Sequence, residues 1–421
     1  MKILYLSHYF PPEIGAPAAR VSELSRHWVT EGHEVTVLTG FPNHPTGVVP
    51  QAYRRGLRRL IMHDALDGIN VVRTWLLPFP NRKAYERMLN YSSFCLSSAI
   101  TGLFVSRPDI LIATSPQLLV GLSGWFLARC KRAPFIFEVR DLWPESLAAV
   151  GMGNSQSLLH RVLGKIAGFL YRNCDHIVVV TAAFKEHLIN KWQVPPEKIS
   201  IVENGVETEL FAAGERSASL RAELAAEGKF VVGYIGTIGL AHGLETVLEA
   251  ANELRSSHPS VLFLIVGEGA AKERVLHLAA ARKLSNIHFV GEQPRSEIPA
   301  YIRACDVCLV LLKKTDVFKT VIPTKMLEFM SCERAVIVGV DGEARSIVEA
   351  AGAGIFIEPE SAQDLTAAVR RLRENTSLSD DMGRNGRQYI LRHLSREETA
   401  RKYEKVLETV LQNSKKRPLQ S

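Results

Sequence analysis

The stretch KFVVGYIGTIGLAHGLETVLEAANELRS, residues 229–256, decides the fold class. It opens with a Val- and Ile-rich run that is too short for a helix, and it ends with an amphipathic helix predicted from Leu244 to Ser256. A glycine-rich loop joins the two. A buried strand, a loop and a helix in this order form the repeating unit of a parallel α/β sheet, so the stretch predicts that architecture.

The same alternation recurs on both sides of the stretch. Before it, a helix is predicted from Ala19 to Glu31 and strands are predicted in KILYLS, EVTVLTG, INVVRTW, DILIAT, PFIFEVR and HIVVVT. After it, strands are predicted in VLFLIVGEG, NIHFVG, VCLVLL, AVIVG and GIFIEP. The break near residues 205–228 contains no credible strand. The pattern therefore predicts an α/β protein with two Rossmann-like domains that face each other across a cleft.

The predicted domains cover residues 1–205 and 206–386, with a turn signal at Asn204-Gly205 marking the hinge between them. Residues 387–421 are predicted to form a C-terminal helix, from Arg387 to Gln412, that packs back toward the N-terminal domain and ends in a frayed tail. In open parallel sheets the loops at the carboxyl ends of the strands line the ligand crevice. Those loops are therefore where functional residues are expected.

The composition is that of an ordinary globular protein, with 46% hydrophobic and 23% charged residues in 421. The net charge of +7 favours phosphate-bearing or anionic-membrane partners, and no nucleic-acid-binding signature accompanies it. Six dispersed cysteines and an N-terminus without a signal peptide indicate a cytoplasmic location. Cys305 and Cys308 lack the second pair that zinc would need, so they are predicted to be a buried structural pair.

Two basic clusters lie next to apolar sequence. One comprises Arg54, Arg55, Arg58 and Arg59, and the other, Arg82, Lys83 and Arg87, leads into the Ser-rich apolar stretch 88–105. That stretch is at the lower length limit for spanning a bilayer and is predicted to be a helix that is buried or lies at an interface. The clusters suit a peripheral protein on an anionic membrane surface, while a solvated basic loop and a core helix explain them equally well.

Two strand-end loops suit a phosphate ligand. The loop 7–18 carries Gly15 before the first helix, although a plain turn explains it as well. The loop after the strand KFVVGYIG carries Gly236, Gly239 and Gly243, which predict a backbone cradle for a diphosphate, with close strand–helix packing as the alternative. The dinucleotide fingerprint GxGxxG is absent, so no nicotinamide cofactor is expected.

Charged residues follow two other strands. In PTKMLE, Thr324 is predicted as the N-cap of a helix whose Lys325 and Glu328 share one face. An ammonium suits a diphosphate and a carboxylate suits ribose hydroxyls, while an ordinary surface ion pair is the alternative. Arg140 and Asp141 stand at the end of the strand PFIFEVR, where Arg140 could bind an anion and Asp141 could act as a base or orient a hydroxyl. A strand-end ion pair or cap is the alternative. In other strand-end loops, His8 and His44 are candidates for substrate contact.

In their order and spacing these pieces resemble the glycosyltransferase family 4 enzymes of the GT-B fold, over nearly the whole chain. The matching stretches are KILYLSHYFPPEIGAPA, IVENGVETELF, VVGYIGTIGLAHGLETVLEAA, FLIVGEGAAKERV, NIHFVGEQPRSEIPAYIRACDVCLVLL and PTKMLEFMSCERAVIVG. Within the family the chain is most similar to bacterial transferases that build O-antigen or capsular polysaccharide, the amino-sugar transferases in particular. The resemblance implies a retaining hexosyltransferase that uses a nucleotide-diphosphate sugar and needs no cofactor and no metal.

The resemblance also assigns the domains. It implies that residues 1–205 bind the acceptor, expected to be a glycan linked to undecaprenyl diphosphate, and that residues 206–386 bind the nucleotide sugar. The nucleobase would be read by backbone around residues 291–295. Such an enzyme of lipopolysaccharide synthesis would act in the cytoplasm, on the inner face of the cytoplasmic membrane.

The chain departs from the family pattern at several positions. Thr320 stands at the first of two family glutamates, of which Glu328 is the second. Thr237 and His242 stand where the family has an Arg and a Lys that grip the donor diphosphate, and His242 would donate there when protonated. Lys325, together with Lys319, is inferred to supply the missing cation. Arg140-Asp141 replaces a histidine near the sugar, and Glu333 replaces a helix-ending glycine.

These positions give a hypothesis for the chemistry. Negative charge grows on the diphosphate as the sugar leaves, and fixed donors placed there lower the barrier. The predicted catalytic residues are Lys325 as the cation, Arg140 as a phosphate ligand, and Asp141 to orient the acceptor hydroxyl or steady the oxocarbenium-like centre. Donor binding is assigned to Gly15, Gly236, Thr237, His242, Thr320, Lys325 and Glu328. Domain closure would exclude water.

Two other classes stay open on the sequence. A sugar-nucleotide 2-epimerase shares the two-domain cleft but needs no acceptor. A non-catalytic nucleotide-sugar-binding subunit would bind the donor without turnover, which the departures at Thr320, Thr237 and His242 allow.

Overall fold

The computed structural model describes residues 1–13, 15–44, 46–80, 84–145 and 157–416. These residues divide into two compact units, Met1–Glu203 with Thr399–Ser421, and Asn204–Glu398. Each unit contains one sheet of mainly parallel strands between layers of helices. The predicted α/β class with two parallel-sheet domains is thereby confirmed. The predicted basic residues Arg82 and Lys83 and the tail 417–421 lie outside the described residues.

The first unit has an eight-stranded sheet in the order β3-β4-β2-β1-β5-β6-β7-β8. The strands are β1 (Lys2–Leu6), β2 (Glu34–Gly40), β3 (Ile61–Leu66), β4 (Ile69–Thr74), β5 (Ile110–Thr114), β6 (Phe135–Val139), β7 (His176–Val179) and β8 (Ile199–Ile201). Only the edge strand β3, among the described strands of this sheet, is antiparallel to its neighbour. The sequence prediction omitted β3 and β8.

Both faces of this sheet are covered by helices. Those described are α1 (Ala16–Thr30), α2 (Gln51–Arg58), α3 (Ala84–Phe104), α4 (Leu119–Lys131), α5 (Leu158–Asn173) and α6 (Ala182–Trp192). Leu4 and Leu6 of β1 pack in the core formed with α3, α4 and α5, while Ile3 and Tyr5 pack in the core formed with α1. Alternate residues of a strand point to opposite faces, so a strand covered on both faces must be apolar throughout.

The second unit has a six-stranded, fully parallel sheet in the order β11-β10-β9-β12-β13-β14. Its strands are β9 (Phe230–Ile235), β10 (Val261–Val266), β11 (Ile287–Val290), β12 (Val307–Leu311), β13 (Ala335–Gly339) and β14 (Gly354–Phe356). Cys305 and Cys308 are fully buried, as predicted, and a Cβ added at Gly233 would lie 2.3 Å from the Sγ atom of Cys305. Close packing therefore explains Gly233.

The helices of the second unit begin inside the predicted break between the domains. They are α7 (Ala218–Glu223), α8 (Glu245–Ser257), α9 (Lys272–Ala281), α10 (Ile298–Ala304), α11 (Thr324–Ser331), α12 (Glu343–Ala351), α13 (Ala362–Glu374) and α14 (Thr376–Tyr389). A short parallel bridge joins Val206 to Ser395, with hydrogen bonds from Val206 N to Leu394 O (3.0 Å) and from Arg396 N to Val206 O (2.8 Å).

The single helix predicted from Arg387 to Gln412 is wrong. Helix α14 ends at Tyr389, a π-helical turn covers Ile390–Leu394, and α15 runs over Arg396–Lys416. Ser395 is extended, and its hydroxyl accepts a hydrogen bond from Glu398 N at 3.1 Å, which caps α15. Within the first unit, the indole of Trp28 donates to Ala400 O and packs edge-on against Tyr403.

Candidate active site

Both candidate loops of the second unit lie where its strand order reverses. Strands β9 and β12 are neighbours, and the sheet grows from β9 in one direction and from β12 in the other. Ligands of such sheets bind outside the carboxyl ends of the strands at this point. The glycine loop follows β9, and α11 follows β12 after a short 3₁₀ turn, Asp316–Thr320. The topology thereby brings Gly236 and Lys325 together.

The ammonium group of Lys325 is buried beside the glycine loop. Its Nζ atom lies 4.0 Å from the centroid of the Tyr234 ring, and a Cβ added at Gly236 would lie 3.6 Å from it. It has no hydrogen-bond partner among the described residues. Burial lowers the pKa of Lys325 to about 7, against the opposing effect of Glu328. An anion brought next to this group would supply the hydrogen bonds and charge that it lacks.

The glycine loop is held by its own polar groups. Gly236 has a φ of 136°, which only glycine adopts readily, and Gly243 is left-handed with a φ of 57°. The Tyr234 hydroxyl donates to Thr237 O at 2.6 Å, and Gly239 N donates to the Nδ1 atom of His242 at 3.3 Å. The Thr237 side chain is exposed. The loop therefore presents Gly236 toward Lys325 in a fixed backbone conformation.

The structure corrects the predicted role of His242 as a protonated donor. Burial and the nearby Lys325 ammonium lower the pKa of His242 to about 4. The imidazole is therefore neutral at pH 7, and Nδ1 already accepts a hydrogen bond from the loop. His242 shapes the loop and offers no positive charge to a phosphate.

Glu328 lies one turn beyond Lys325 on α11, as the spacing predicts. Its Oε1 atom forms an ion pair with Nη1 of Arg295 at 3.2 Å, and the Arg295 guanidinium stacks over the Phe211 ring. Arg295 therefore fixes the Glu328 carboxylate, which the sequence assigns to the ribose. The sequence analysis named Arg295 only as part of the backbone segment 291–295. Thr324 is the first residue of α11, and its side chain does not cap the helix, so that prediction is wrong.

Other predicted donor-site residues use their polar groups locally. The Thr320 hydroxyl donates to Val317 O at 2.8 Å inside the 3₁₀ turn. The Lys319 ammonium pairs with Asp316 at 2.8 Å, and nearly half of the Lys319 side chain is exposed. Glu333 has a φ of 58°, so it adopts the left-handed conformation of the glycine that it replaces. Lys325, and not Lys319, is the buried cation next to the cradle.

In the first unit, Gly15 and Arg140 meet at the N-terminus of α1. Gly15 is the N-cap residue with a φ of 142°, and Arg140 Nη2 donates to Ala16 O at 3.2 Å. The Nε and Nη1 atoms of Arg140 are buried and lack hydrogen-bond partners within the described part of the chain. Burial and the charge of Arg20 lower the pKa of Arg140. The guanidinium and the helix N-terminus together form an electropositive site.

The buried ion pair between Arg20 and Glu138 lies next to this site. Arg20 Nε and Nη2 donate to Oε1 of Glu138 at 3.0 and 2.9 Å, and the Tyr5 hydroxyl donates to Oε2 at 2.8 Å. Burial raises the pKa of Glu138, but Arg20 and Arg140 outweigh it and hold the value below its ordinary range. Arg20 also donates to the carbonyls of Val202 and Glu203. The end of β6, which carries Arg140, is therefore rigidly placed.

Asp141 is half-buried beside Arg140. Burial raises the pKa of Asp141 to about 6, and the Arg140 charge limits the rise. The hydroxyl of Ser115, which follows β5, accepts hydrogen bonds from the backbone N–H groups of Arg140 and Asp141 at 2.7 and 3.2 Å. Ser115 thus holds the two predicted catalytic residues of this unit in place. A carboxylate with a pKa near 6 is suited to proton transfer at neutral pH.

Two family models match the chain in tandem. The Glycosyl transferase 4-like domain matches residues 15–205, and Glycosyl transferases group 1 matches residues 215–389. The chain is a glycosyltransferase with these two domains in this order. A protein of Escherichia coli strain K12 that is named as a colanic acid biosynthesis glycosyl transferase, WcaI, is 25% identical to it over 96% of this chain and 98% of its own.

Solved structures show the same fold for this glycosyltransferase. Sucrose-phosphate synthase from Thermosynechococcus elongatus matches with a TM-score of 0.77 and 18% identity, over 98% of this chain and 99% of its own. The Anabaena protein Alr3699/HepE, solved in complex with UDP, matches with a TM-score of 0.72 and 17% identity, over 97% of this chain and 100% of its own. The predicted GT-B fold is confirmed.

Several residues of the glycosyltransferase that shape the two sites escaped the sequence prediction. Tyr234 lies under Lys325, Arg295 pairs with Glu328, and Ser115 holds Arg140 and Asp141. Tyr234 meets Lys325 because β9 and β12 are neighbours in the sheet, and Ser115 meets Arg140 because β5 and β6 are neighbours, whereas Arg295 follows the edge strand β11, which does not pair with β12. The turn residues Ser115 and Gln117, directly after the strand DILIAT, were the one available signal, since polar residues there face the crevice.

Proposed function

We propose that this glycosyltransferase transfers a sugar, expected to be an N-acetylamino sugar, from a nucleotide-diphosphate donor to a lipid-linked glycan with retention of configuration. The observation that carries the proposal is the buried Lys325 ammonium, without hydrogen-bond partners among the described residues, next to Gly236 at the switch point of the sheet. A diphosphate is the anion that a glycine loop and a helix N-terminus accommodate at this position.

On the donor side, Lys325 would balance the charge that develops on the leaving diphosphate without a metal ion. Gly236 would allow close backbone approach, and Glu328, oriented by Arg295, would accept hydrogen bonds from the ribose. Thr237, His242 and Thr320 would line the donor site through loop backbone and uncharged side chains. Lys325 is the strongest candidate for a catalytic group in the second unit.

On the acceptor side, Arg140 and the N-terminus of α1 at Gly15 would hold a phosphate, of the donor or of a lipid diphosphate. Asp141 would orient the acceptor hydroxyl or stabilise the oxocarbenium-like centre. The name of the Escherichia coli relative, which refers to colanic acid biosynthesis, supports a role in polysaccharide synthesis. We propose undecaprenyl diphosphate as its carrier lipid.

A donor panel tests this function. UDP-, GDP- and dTDP-sugars would be incubated with the chain and EDTA, with and without bacterial membrane lipid extract, while nucleotide-diphosphate release is measured. Release from one donor that requires the lipid extract is expected, and NMR of the product would report the anomeric configuration. An epimerised nucleotide sugar formed without acceptor, or donor binding without turnover across the panel, would contradict the proposal.

The membrane would be reached through the apolar surface of α3, α4 and α5. No helix in the described part of the chain is both long and apolar enough to span a bilayer. Large apolar side chains are nevertheless exposed on these helices, namely Leu96 (65%), Ile100 (54%), Phe104 (82%), Phe126 (40%), Leu158 (70%) and Val162 (44%). Exposed basic residues accompany them, including Arg107, Arg129, Arg161 and Lys165. We propose that an anionic bilayer covers this surface.

Replacing Leu96, Ile100 and Phe104 by serine is expected to lower partitioning onto phosphatidylglycerol-containing vesicles by about 100-fold. Each of these exposed side chains contributes roughly 1 kcal/mol when it enters the interface, which is less than full burial provides. Vesicle co-sedimentation would measure the change, with Leu276→Ser and Leu391→Ser in the second unit as a matched control. Equal binding of both variants would contradict the membrane proposal.

A further inference from the structure

A polar cluster in the first unit has no part in the function proposed above, although the sequence marks one of its members, His8, as a candidate for substrate contact. His8 and Tyr9 follow β1, Gln117 follows β5, and Tyr91 projects from α3. Strands β1 and β5 are neighbours at the point where this sheet reverses its order. His8 and Gln117 are only 3% and 1% exposed, whereas Tyr9 and Tyr91 are half-buried. The polar groups of His8 and Gln117 therefore lie buried at the bottom of the cluster, and the rings of Tyr9 and Tyr91 form the side that solvent reaches.

Gln117 is the first sign that this cluster binds a ligand. Both its amide nitrogen and its amide oxygen are buried, and neither forms a hydrogen bond of ordinary geometry with a described residue; the only interaction of the amide there is a weak hydrogen bond with the Tyr9 hydroxyl. Leaving a buried amide group unsatisfied destabilises the folded protein, because the group has lost its hydrogen bonds to water and gained none in return. Nearly all buried side chains of this kind have partners in folded proteins, so an unpartnered donor and acceptor in one residue point to an external partner.

His8 adds an uncharged nitrogen to the bottom of the cluster. Its ring lies edge-on to Tyr9, Tyr91 and Phe94, with centroid distances of 4.8, 5.5 and 4.8 Å, and its buried Nδ1 atom has no partner in the described ranges. Burial lowers the pKa of His8 to about 3, so the imidazole is neutral at pH 7. The nearby carboxyl of Asp141 acts electrostatically on Tyr91, which places it at the edge of the cluster.

These groups select the chemistry of the ligand. A fully ionised phosphate only accepts hydrogen bonds, so it would leave the Gln117 oxygen unsatisfied. A hydroxyl both donates and accepts, and it satisfies an amide and a neutral imidazole equally well. The tyrosine rings provide the apolar surface on which the C–H groups of a pyranose pack. An uncharged, hydroxyl-rich ring fits all of these features.

We propose that His8, Tyr9, Tyr91 and Gln117 form a subsite for the hydroxyl groups of a sugar ring, next to Asp141. The inference rests on the proposed transferase function for the identity of the sugar, which is expected to be the terminal residue of the acceptor glycan. The donor sugar presents the same chemistry and is the second source. In either case Gln117 is a specificity-determining residue that the ligand reaches through the accessible side formed by Tyr9 and Tyr91.

The test is Gln117→Leu, a near-isosteric change, in the full chain. Ligand-observed NMR with methyl glycosides of glucose, galactose and N-acetylglucosamine would measure binding, with UDP as the control ligand. Gln117→Leu is expected to weaken the best glycoside by about 5- to 100-fold, because the two hydrogen bonds made by the amide are lost, while UDP affinity stays unchanged. The Tm is expected to change little, since the amide loses only its weak contact with the Tyr9 hydroxyl. Tyr91→Phe, at a half-buried site, is a second variant expected to weaken the same glycoside.

The outcomes separate the subsite from the overall function. Weakened glycoside binding supports an acceptor subsite, and weakened nucleotide-sugar binding with unchanged UDP binding supports a donor-sugar subsite. Unchanged affinities in both variants, a lowered Tm of Gln117→Leu with unchanged affinity, or no glycoside binding by the wild type would overturn the subsite. Glycoside binding without transfer from any donor would instead sink the proposed function and leave the subsite standing.

Discussion

Lys325→Met is expected to lower kcat/KM for the donor by about 1000-fold. The side chain supplies the only cation that we assign to the leaving diphosphate in the second unit, and removing one preorganised donor of this kind costs roughly 100- to 1000-fold in rate. Loss of the full charge places the effect at the upper end. Steady-state rates of nucleotide-diphosphate release, measured with the donor identified in the panel, would give the change.

The role of Lys325 also predicts how the activity of the wild-type enzyme depends on pH. The pKa of Lys325 in the free protein is lowered to about 7 by burial, so at pH 7 about half of the molecules carry the neutral amine. The protonated form binds a diphosphate, and kcat/KM is therefore expected to fall as the pH rises above about 7. Donor binding at pH 7 should also take up protons, which calorimetry in buffers of different ionisation enthalpy detects. Lys325→Met should show neither effect.

Lys314→Met is the matched control for this experiment. Lys314 lies in the same region of the chain, is 68% exposed, and pairs with Glu358 at the surface, so its removal is expected to leave the donor kinetics unchanged. A Lys325→Met enzyme with wild-type kcat/KM would show that the diphosphate is held elsewhere. Proton uptake that persists in that variant would assign the titration to another group.

The sequence predicts site residues whose contacts lie within one helix, and it does not predict contacts that depend on how the strands pair. Lys325 and Glu328 were found because their spacing on one helix is a local property. Tyr234 beneath Lys325 was missed because it meets α11 only through the pairing of β9 with β12. The charge state of His242 was misjudged for a related reason, since its pKa depends on burial and on Lys325, and neither is visible in the spacing of the loop.

Secondary structure was likewise harder to predict from the sequence for edge strands than for central strands. Central strands read clearly because they are buried on both faces, whereas β3 alternates between exposed and half-buried positions and gives a weak apolar signal. The turn Asp67-Gly68, with positive φ at both residues, was an available hairpin signal for β3 and β4. The capping sequence Ser395-Arg396-Glu397-Glu398 likewise marked the start of α15.

Asp141→Asn is expected to lower kcat by about 100- to 10,000-fold, the range for loss of a positioned general base or charge-stabilising carboxylate. Burial raises the pKa of Asp141 to about 6, with Arg140 opposing the shift. The ionised form is the one that accepts a proton or stabilises positive charge, so the wild-type rate should fall as the pH drops through about 6. The asparagine variant should lose that acidic limb, which a pH–rate profile would show.

Stability separates a catalytic loss from misfolding in this variant. Because burial disfavours the charged carboxyl, the folded protein binds its proton more tightly than the unfolded chain does, and the ionised group opposes folding above about pH 6. Asp141→Asn removes that charge and is therefore expected to be at least as stable as the wild type at pH 7. Asp67→Asn, at an exposed turn that favours asparagine, is the control and should keep full activity. If Asp141→Asn keeps full activity and the acidic limb, the catalytic role belongs to another residue.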